Sequence, residues 1–371
     1  MGGKYTMKNI IATLGLLLCG CGMMNAQSTE EINKMFPNAV ITRSNYDQVT
    51  ADLKSKPATE FPVNWYKKYI ETPAKSIVDA DKKTTPVVST ANNPDKVDIS
   101  AEMKVVHQLC LAYAFSQDKK YLDKAVEYLK AWAAINVPVS KSNIHEEAYN
   151  IAVEGYSIIR KVISASDREI IDSWVRKRAE LFVKDNDLRV NNWGTCLLYQ
   201  YYLFGTVLED ATIINKYKNS YPTWVKGNLY PNGTTTDLLG RDAFAYHAYD
   251  LLFFARLCHL TAMVEGYEQA DNLYTRDVNW GASIKNSVYF WKPFLMDTKK
   301  YTHLEFVETE YAPDKNRSDY NKPYNPSGTL YVIDELYEVD KDLKEVLDQY
   351  KRNPDASLKI GLSYLRWYYS K

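Results

Sequence analysis

The chain has 371 residues, 46 of them basic and 46 acidic, so its formal net charge is zero. That balance removes any global attraction to nucleic acid or to a membrane surface, while a local basic cleft can still take an anionic substrate. Hydrophobic residues make up 46%, enough for one large domain, and 30 tyrosines with 8 tryptophans offer flat, polar-tipped faces to core and sugar alike.

Residues 1–26 read as a targeting segment. Lys8 supplies the basic region, and Ile10 to Leu18 form an apolar stretch too short to span a bilayer. Residues 1–6 read as an extension ahead of Met7. Two processing readings stand side by side: cleavage after Ala26, and a lipoprotein box, Leu18-Cys19-Gly20-Cys21, with a lipid anchor at Cys21. Both predict a secreted or periplasmic bacterial protein, the second an outer-membrane lipoprotein. Residues 27–371 are then expected to form a single domain without a membrane span.

Helical patterning dominates the rest of the chain. Helices are predicted near 44–56 and 61–79, then as pairs at 98–116 with 119–135 and 146–164 with 167–185. In the stretch 119–135 Leu122, Ala125, Val126, Leu129, Trp132 and Ala133 recur at helical spacing. Ser166-x-x-Glu169 reads as a capping box. Further helices are expected at 192–209, 211–228, 242–266 and 276–293, with closing ones near 328–337, 340–350 and 355–369. Residues 243–266 are apolar nearly all round, whereas 167–185 carry a charged face. That alternation suits inner helices covered by outer ones, so the expected fold is an all-α toroid of about six to seven helical hairpins. A solenoid is less suited, because no repeat recurs at a fixed period. Residues 297–327 break the pattern. A loop that long and that aromatic is expected to be a cleft wall or lid.

Cys110, Cys196 and Cys258 sit in apolar stretches at spacings unsuited to zinc or redox pairs, and read as small buried hydrophobes. His145-Glu146-Glu147 lacks a second histidine at helical spacing, so neither metal nor cofactor is predicted. The acidic run Glu305, Glu308 and Glu310 reads as solvated surface.

Two clusters carry the chemistry. Asn191-Asn192-Trp193-Gly194-Thr195 opens a helix, and Arg241 precedes Tyr246-His247 at the mouth of another. Cutting a uronic-acid polymer by β-elimination needs three things. The carboxylate next to C5 must be neutralised, a base must take the C5 proton, and an acid must protonate the departing O4. Amides and a guanidinium can neutralise, and a tyrosine beside a cation can serve as base and acid. Taken alone, a tyrosine or histidine on an apolar helix is more often a core residue than a catalytic one, and two consecutive asparagines fit a helix cap equally well. Tyr246 and His247 point about 100° apart on a helix, so only one can face a substrate squarely.

Together, Asn-Asn-Trp-Gly-Thr and Arg-x4-Tyr-His resemble motifs of the alginate lyase superfamily, secreted all-helical toroids, over residues 98–350. The resemblance implies that Asn191 or Asn192 and Arg241 neutralise the carboxylate and that Tyr246, with His247, is the catalytic acid and base. The family motif reads Asn-Asn-His, so Trp193 departs from it. A substitute imidazole is sought in His247, His145 or His303. Losing the motif histidine favours mannuronate or glucuronate, where H5 and O4 lie on one side. Candidate substrate contacts are Asn191, Trp193, His145, Tyr249, Tyr301 and His303, and the expected partner is an anionic polysaccharide, alginate or a related uronan. Two other classes stay open. A toroid glycoside hydrolase would need paired carboxyls, with Asp237, Asp242 and Asp250 as candidates. A non-catalytic glycan-binding lipoprotein would explain the aromatic content but not the Arg–Tyr–His cluster.

Overall fold

A computed structural model describes residues 29–139, 144–184 and 189–369. The expected targeting segment, residues 1–26 with Cys21, lies outside them. After a helical turn over 29–34 come α1 (Arg43–Ser55) and α2 (Val63–Tyr66), the latter running through a π turn at Lys67–Glu71 into α3 (Thr72–Asp79). The ring is built from α4 (Ile99–Ser116), α5 (Lys119–Ile135), α6 (Asn150–Ile159), α7 (Ala165–Lys184), α8 (Asn192–Leu208), α9 (Ala211–Asn228), α10 (Thr236–Arg241), α11 (Phe244–Val264) and α12 (Tyr267–Thr275). It closes with α13 (Ile284–Met296), α14 (Tyr331–Leu336), α15 (Lys344–Gln349) and α16 (Leu358–Tyr369). Among the described residues β-pairing is limited to isolated bridges.

Side-chain oxygens start these helices. Asp98, Asp118, Asn191, Asp210 and Thr235 each accept a backbone N–H of the first turn. Left-handed residues stop three of them: Gln117 after α4, Glu209 after α8 and Asp242 after α10. The predicted capping box shifts by two residues. Ser164, not Ser166, caps α7, accepting from the Asp167 N–H at 3.1 Å and donating to its carboxylate at 2.8 Å.

Helices α4, α6, α8, α11 and α14 pack one against the next as an inner row. Helices α5, α7, α9 and α12 cover them from outside. The all-helical toroid is therefore the fold. The reason is visible in α8 and α11, where nearly every side chain is buried, so both faces need neighbours. Each fully buried leucine or phenylalanine there contributes about 1.5–3 kcal/mol over exposure. Cys110, Cys196 and Cys258 are buried, free thiols in this core.

Two boundaries differ from the pattern reading. The stretch 242–266 does not begin at Asp242. That residue adopts φ 49°, ends α10 and leaves α11 to begin at Phe244. The stretch 276–293 begins late because Ser283 caps α13 through the Asn286 N–H, and α12 sits just upstream.

Candidate active site

Inner helices α8 and α11 bring their N-terminal ends to the same side, joined by the short helix α10. Thr235 caps α10, Asp237 lies in its first turn, and Arg241 ends it one turn later. Each of the three reaches a different neighbour. The Asp237 carboxylate accepts the Asn192 backbone N–H at 2.5 Å and the Asn192 side-chain N–H at 2.8 Å. The Thr235 hydroxyl contacts His247 Nδ1 at 3.0 Å. Arg241 lies across the ring of Tyr246, its Cζ 3.7 Å from the centroid.

Arg241 is less free than the motif implied. Its Nε donates to Asp314 at 2.5 Å and its Nη2 to the other oxygen of the same carboxylate. Burial alone would lower its pKa, but the Asp314 hydrogen bonds and the Tyr246 and Asp314 charges hold it above its ordinary value. Tyr311 lies 4.9 Å from Cζ. Tyr246 is half-buried, with the Phe306 ring edge-on at 6.0 Å and Arg317 at 5.7 Å.

His247 turns the other way, about 100° round the helix. It is fully buried, ringed by Phe244, Phe290 and Trp291. Its Nε2 lies 3.2 Å from the Ser287 carbonyl, so that nitrogen carries the proton and Nδ1 accepts from Thr235. Burial pushes its pKa down to about 4. His247 therefore cannot touch a substrate. It steadies the Thr235 cap, and so the helix that holds Asp237 and Arg241.

Asn191 caps α8 by accepting the Trp193 N–H at 3.0 Å, and it is half-buried. Asn192 is 2% exposed, with a side-chain oxygen that has no partner. Gly194 is obligatory, because a Cβ there would lie 2.0 Å from the Arg189 carbonyl oxygen. Trp193 is not a bare platform. Arg189 stacks over its ring at 4.7 Å and the exposed His145 stands edge-on at 5.6 Å. Tyr249 donates its hydroxyl to Glu147 at 2.8 Å, and Glu147 also pairs with Arg256 at 2.6 Å. Tyr301 packs on Phe294 at 5.7 Å.

The loop 297–330 is a wall strapped to the turn between α10 and α11. Phe306 N–H donates to the Asp242 carbonyl at 2.7 Å, His303 Nε2 to the same oxygen at 3.0 Å, and Glu310 N–H to Gly240 at 3.0 Å. His303 thus serves as a strap. Glu305 is buried rather than solvated. Its carboxylate accepts the Phe244 and Ala245 N–H groups at 2.9 and 3.1 Å, capping α11. Phe306 is held at φ 68°, a conformation costing about 1–3 kcal/mol for a bulky residue, and its ring meets Tyr246. Asp314, Phe306 and Arg317 escape sequence reasoning, since a loop carries no periodicity. The spacing of Asp237 and Arg241, four apart, was the available signal for α10.

A hydrolase loses its carboxyl pair here. Asp237 and Asp250 are buried, 4% and 0% exposed, and are held by protein donors, Asp250 by Thr195 at 2.6 Å and Asn228 at 2.7 Å. Burial pushes Asp237 up to about 7, and burial with the Asp237 charge pushes Asp250 well above the usual range. Asp242 spends its carboxylate on the Glu308 N–H.

The alginate lyase family model matches residues 45–301, which include both motifs and α10. The chain belongs to the alginate lyase family. As a member it is a polysaccharide lyase. The matched segment stops short of Glu305, Phe306 and Asp314 in the wall loop. An alginate lyase from Bacteroides ovatus has a similar structure, with TM-score 0.64 and 16% identity over 88% of this chain and 99% of that one. Alginate lyase A1-III from Sphingomonas species A1 has TM-score 0.59 and 14% identity over 81% and 87%. A tetrasaccharide complex of alginate lyase A1-III has TM-score 0.53 and 14% identity over 71% and 79%. These likenesses show a shared fold. No curated protein matches the chain significantly in sequence.

Proposed function

We propose that this lyase is secreted and cleaves alginate, or a related 1,4-linked uronan, by β-elimination to give 4,5-unsaturated ends. The observation that carries the reading is the Arg241 guanidinium lying 3.7 Å over the Tyr246 ring, beside the amide-rich start of α8. The uronate carboxylate is neutralised by the half-buried Asn191, aided by the partial positive charge at the α8 N-terminus, while the buried Asn192 is spent on Asp237. The C5–H electron pair then forms the C4=C5 bond as O4 leaves. Tyr246 gives its proton to O4, and where H5 and O4 are syn the same oxygen takes the C5 proton. Arg241 stabilises negative charge on that oxygen by Coulomb attraction. Its grip on Asp314 makes it a positioning group for Tyr246 more than a direct clamp on the substrate. The tetrasaccharide complexes of alginate lyase A1-III support a polysaccharide partner.

Where H5 and O4 are anti, a second group must act. Of the three imidazoles considered, His247 is sealed and His303 is a strap, while His145 is exposed on Trp193. His145 is the base in this reading. Absorbance of the new C4=C5 bond on polymannuronate, polyguluronate, glucuronan and a glycosaminoglycan tests the whole assignment. His145→Ala is expected to damage guluronate cleavage more than mannuronate cleavage. Equal loss on both would remove His145 from the mechanism. Secretion is inferred from the targeting segment alone, and mass measurement of the mature N-terminus separates cleavage after Ala26 from lipidation at Cys21.

A further inference from the structure

On the outside of the ring one side chain stands apart. Trp280 is 91% exposed, and no other large hydrophobic residue among those described exceeds 54%. It sits in the turn between α12 and α13 at φ 53°, which is uncommon for a bulky side chain. The turn is braced beneath it. The Asp277 carboxylate accepts the Asn279 and Gly281 N–H groups at 2.9 and 2.8 Å, and the Val278 N–H donates to the Ala282 carbonyl at 2.8 Å. The indole is therefore held out in water. A single exposed aromatic means little alone. The surface beside it carries the argument.

Four residues upstream, Arg276 lines a groove of about 270 Å³ between the outer helices α9 and α12. Lys218 lines it from α9, and Gln269 and Asn272 from α12. All four are exposed, and neither cation makes an ion pair among the described residues. The groove's one carboxylate, Glu265, accepts the Tyr202 hydroxyl, and the other acids of α12, Glu268 and Asp271, do not line it. Two exposed cations against one engaged carboxylate give the groove a positive balance in a chain of zero net charge. Four extended residues span at most about 14 Å, so indole and groove lie within reach of one short stretch of polymer. The C–H face of a pyranose suits the indole, its hydroxyls suit the two amides, and its carboxylate suits the cations. A bilayer suits this surface less, because the indole's neighbours in the turn are Asn279 and Gly281, with no apolar group to insert beside it. Thr261, which also lines the groove, lies fifteen residues along α11 from Tyr246, about 22 Å of helix rise. The groove is thus separate from the candidate active site.

We propose that Trp280 and the Lys218–Arg276 groove form an accessory site that holds one stretch of the uronan on the outside of the ring while another stretch is cut. This rests on the uronan-lyase reading above, which names the polymer.

The test uses Trp280→Ala and Arg276→Glu. On polymannuronate each is expected to raise KM roughly fivefold or more, while kcat, and the whole rate on trimannuronate, too short to reach both sites, change less than about twofold. Native electrophoresis through gels with embedded polymannuronate, in a Tyr246→Phe background that leaves the polymer whole, is expected to show retardation weakened roughly tenfold by either substitution. Unchanged KM and retardation in both variants overturn the proposal, and so does an equal loss on trimannuronate and polymer. Trp280-dependent binding to anionic vesicles, or Trp280-dependent dimerisation in sedimentation, with retardation unchanged, gives the turn to a bilayer or a second copy and also overturns it. If wild type yields no unsaturated product, the lyase reading falls separately, and the gels still decide. Wild-type retardation that Trp280→Ala removes supports the site, and no wild-type retardation overturns it.

Discussion

Two arginines in this protein are built alike and sit in opposite surroundings. Arg178 lies 3.9 Å over Tyr149 and 4.7 Å from the Trp174 ring, pairs with Glu146, and is 0% exposed. Arg241 lies 3.7 Å over Tyr246 and 4.9 Å from Tyr311, pairs with Asp314, and is 20% exposed. Both are a guanidinium sandwiched by rings and tied to one carboxylate. Around Arg178 helices close on every side, and Asn136 accepts from its Nη2. Around Arg241 the wall loop supplies Asp314 and Tyr311 but leaves Tyr246 half-open. The same module is a sealed joint in one place and holds a half-open tyrosine in the other. Solvent access makes the difference.

The largest expected effect separates the two tyrosines. Tyr246→Phe keeps the ring under Arg241 and removes only the hydroxyl, so turnover should fall roughly a hundred- to ten-thousandfold with folding intact. Tyr149→Phe should leave the rate per folded molecule unchanged. Double-bond absorbance measures both, and a Tyr246→Phe enzyme at most of the wild-type rate would place the reactive hydroxyl elsewhere.

Removing the arginines should split the same way. Arg178→Ala strands the buried Glu146 and should cost about 3–5 kcal/mol in denaturant unfolding. Arg241→Ala should lower the rate by roughly a hundredfold with a much smaller loss of stability, its pair being partly screened. A large stability loss at Arg241 with little rate change would make it a second structural joint.

Smaller still is the Tyr149→Phe stability change. Its hydroxyl accepts from Asn136 at 2.9 Å, and the loss should be about 1 kcal/mol, because Asn136 keeps its bond to the Val87 carbonyl.

The last effect is a pH slope. Asp237 stays protonated to about pH 7 in the folded state, against an ordinary value of 3.8. The folded state binds more protons between those values. Its contribution is therefore full below about pH 4 and is lost as pH rises toward 7. Asp237→Asn lacks this pH-dependent contribution, so its melting-temperature deficit should narrow from pH 4 to pH 7. His107 and His247, both pushed down to about 4, act in the opposite sense but are common to both proteins. A constant deficit would show that Asp237 titrates outside this window.

Much of the ring was legible because helix burial writes a period into sequence. Residues 119–135 carry that period over their observed bounds, and the stretch that holds α11 reads as apolar nearly all round. The pairing of Arg241 with Tyr246 was legible as a cluster. Its geometry was not, since the Asp242 left-handed turn moved Arg241 onto a helix of its own. His247 looked equivalent to Tyr246 in sequence. One residue of helical rotation sent it into the core.

What the sequence by itself determined is local: which stretches are helices, which faces are apolar, and which polar residues gather at helix starts. Each rests on interactions between residues a few positions apart. What only the tertiary structure decided is long-range. Asp314 reaches Arg241 across 73 positions, Glu305 caps α11 across 61, and Asp237 holds Asn192 across 45. Such contacts join a loop to a helix end or one helix to another. They leave no period in the chain, because their geometry exists only once the inner helices have packed and brought those ends together.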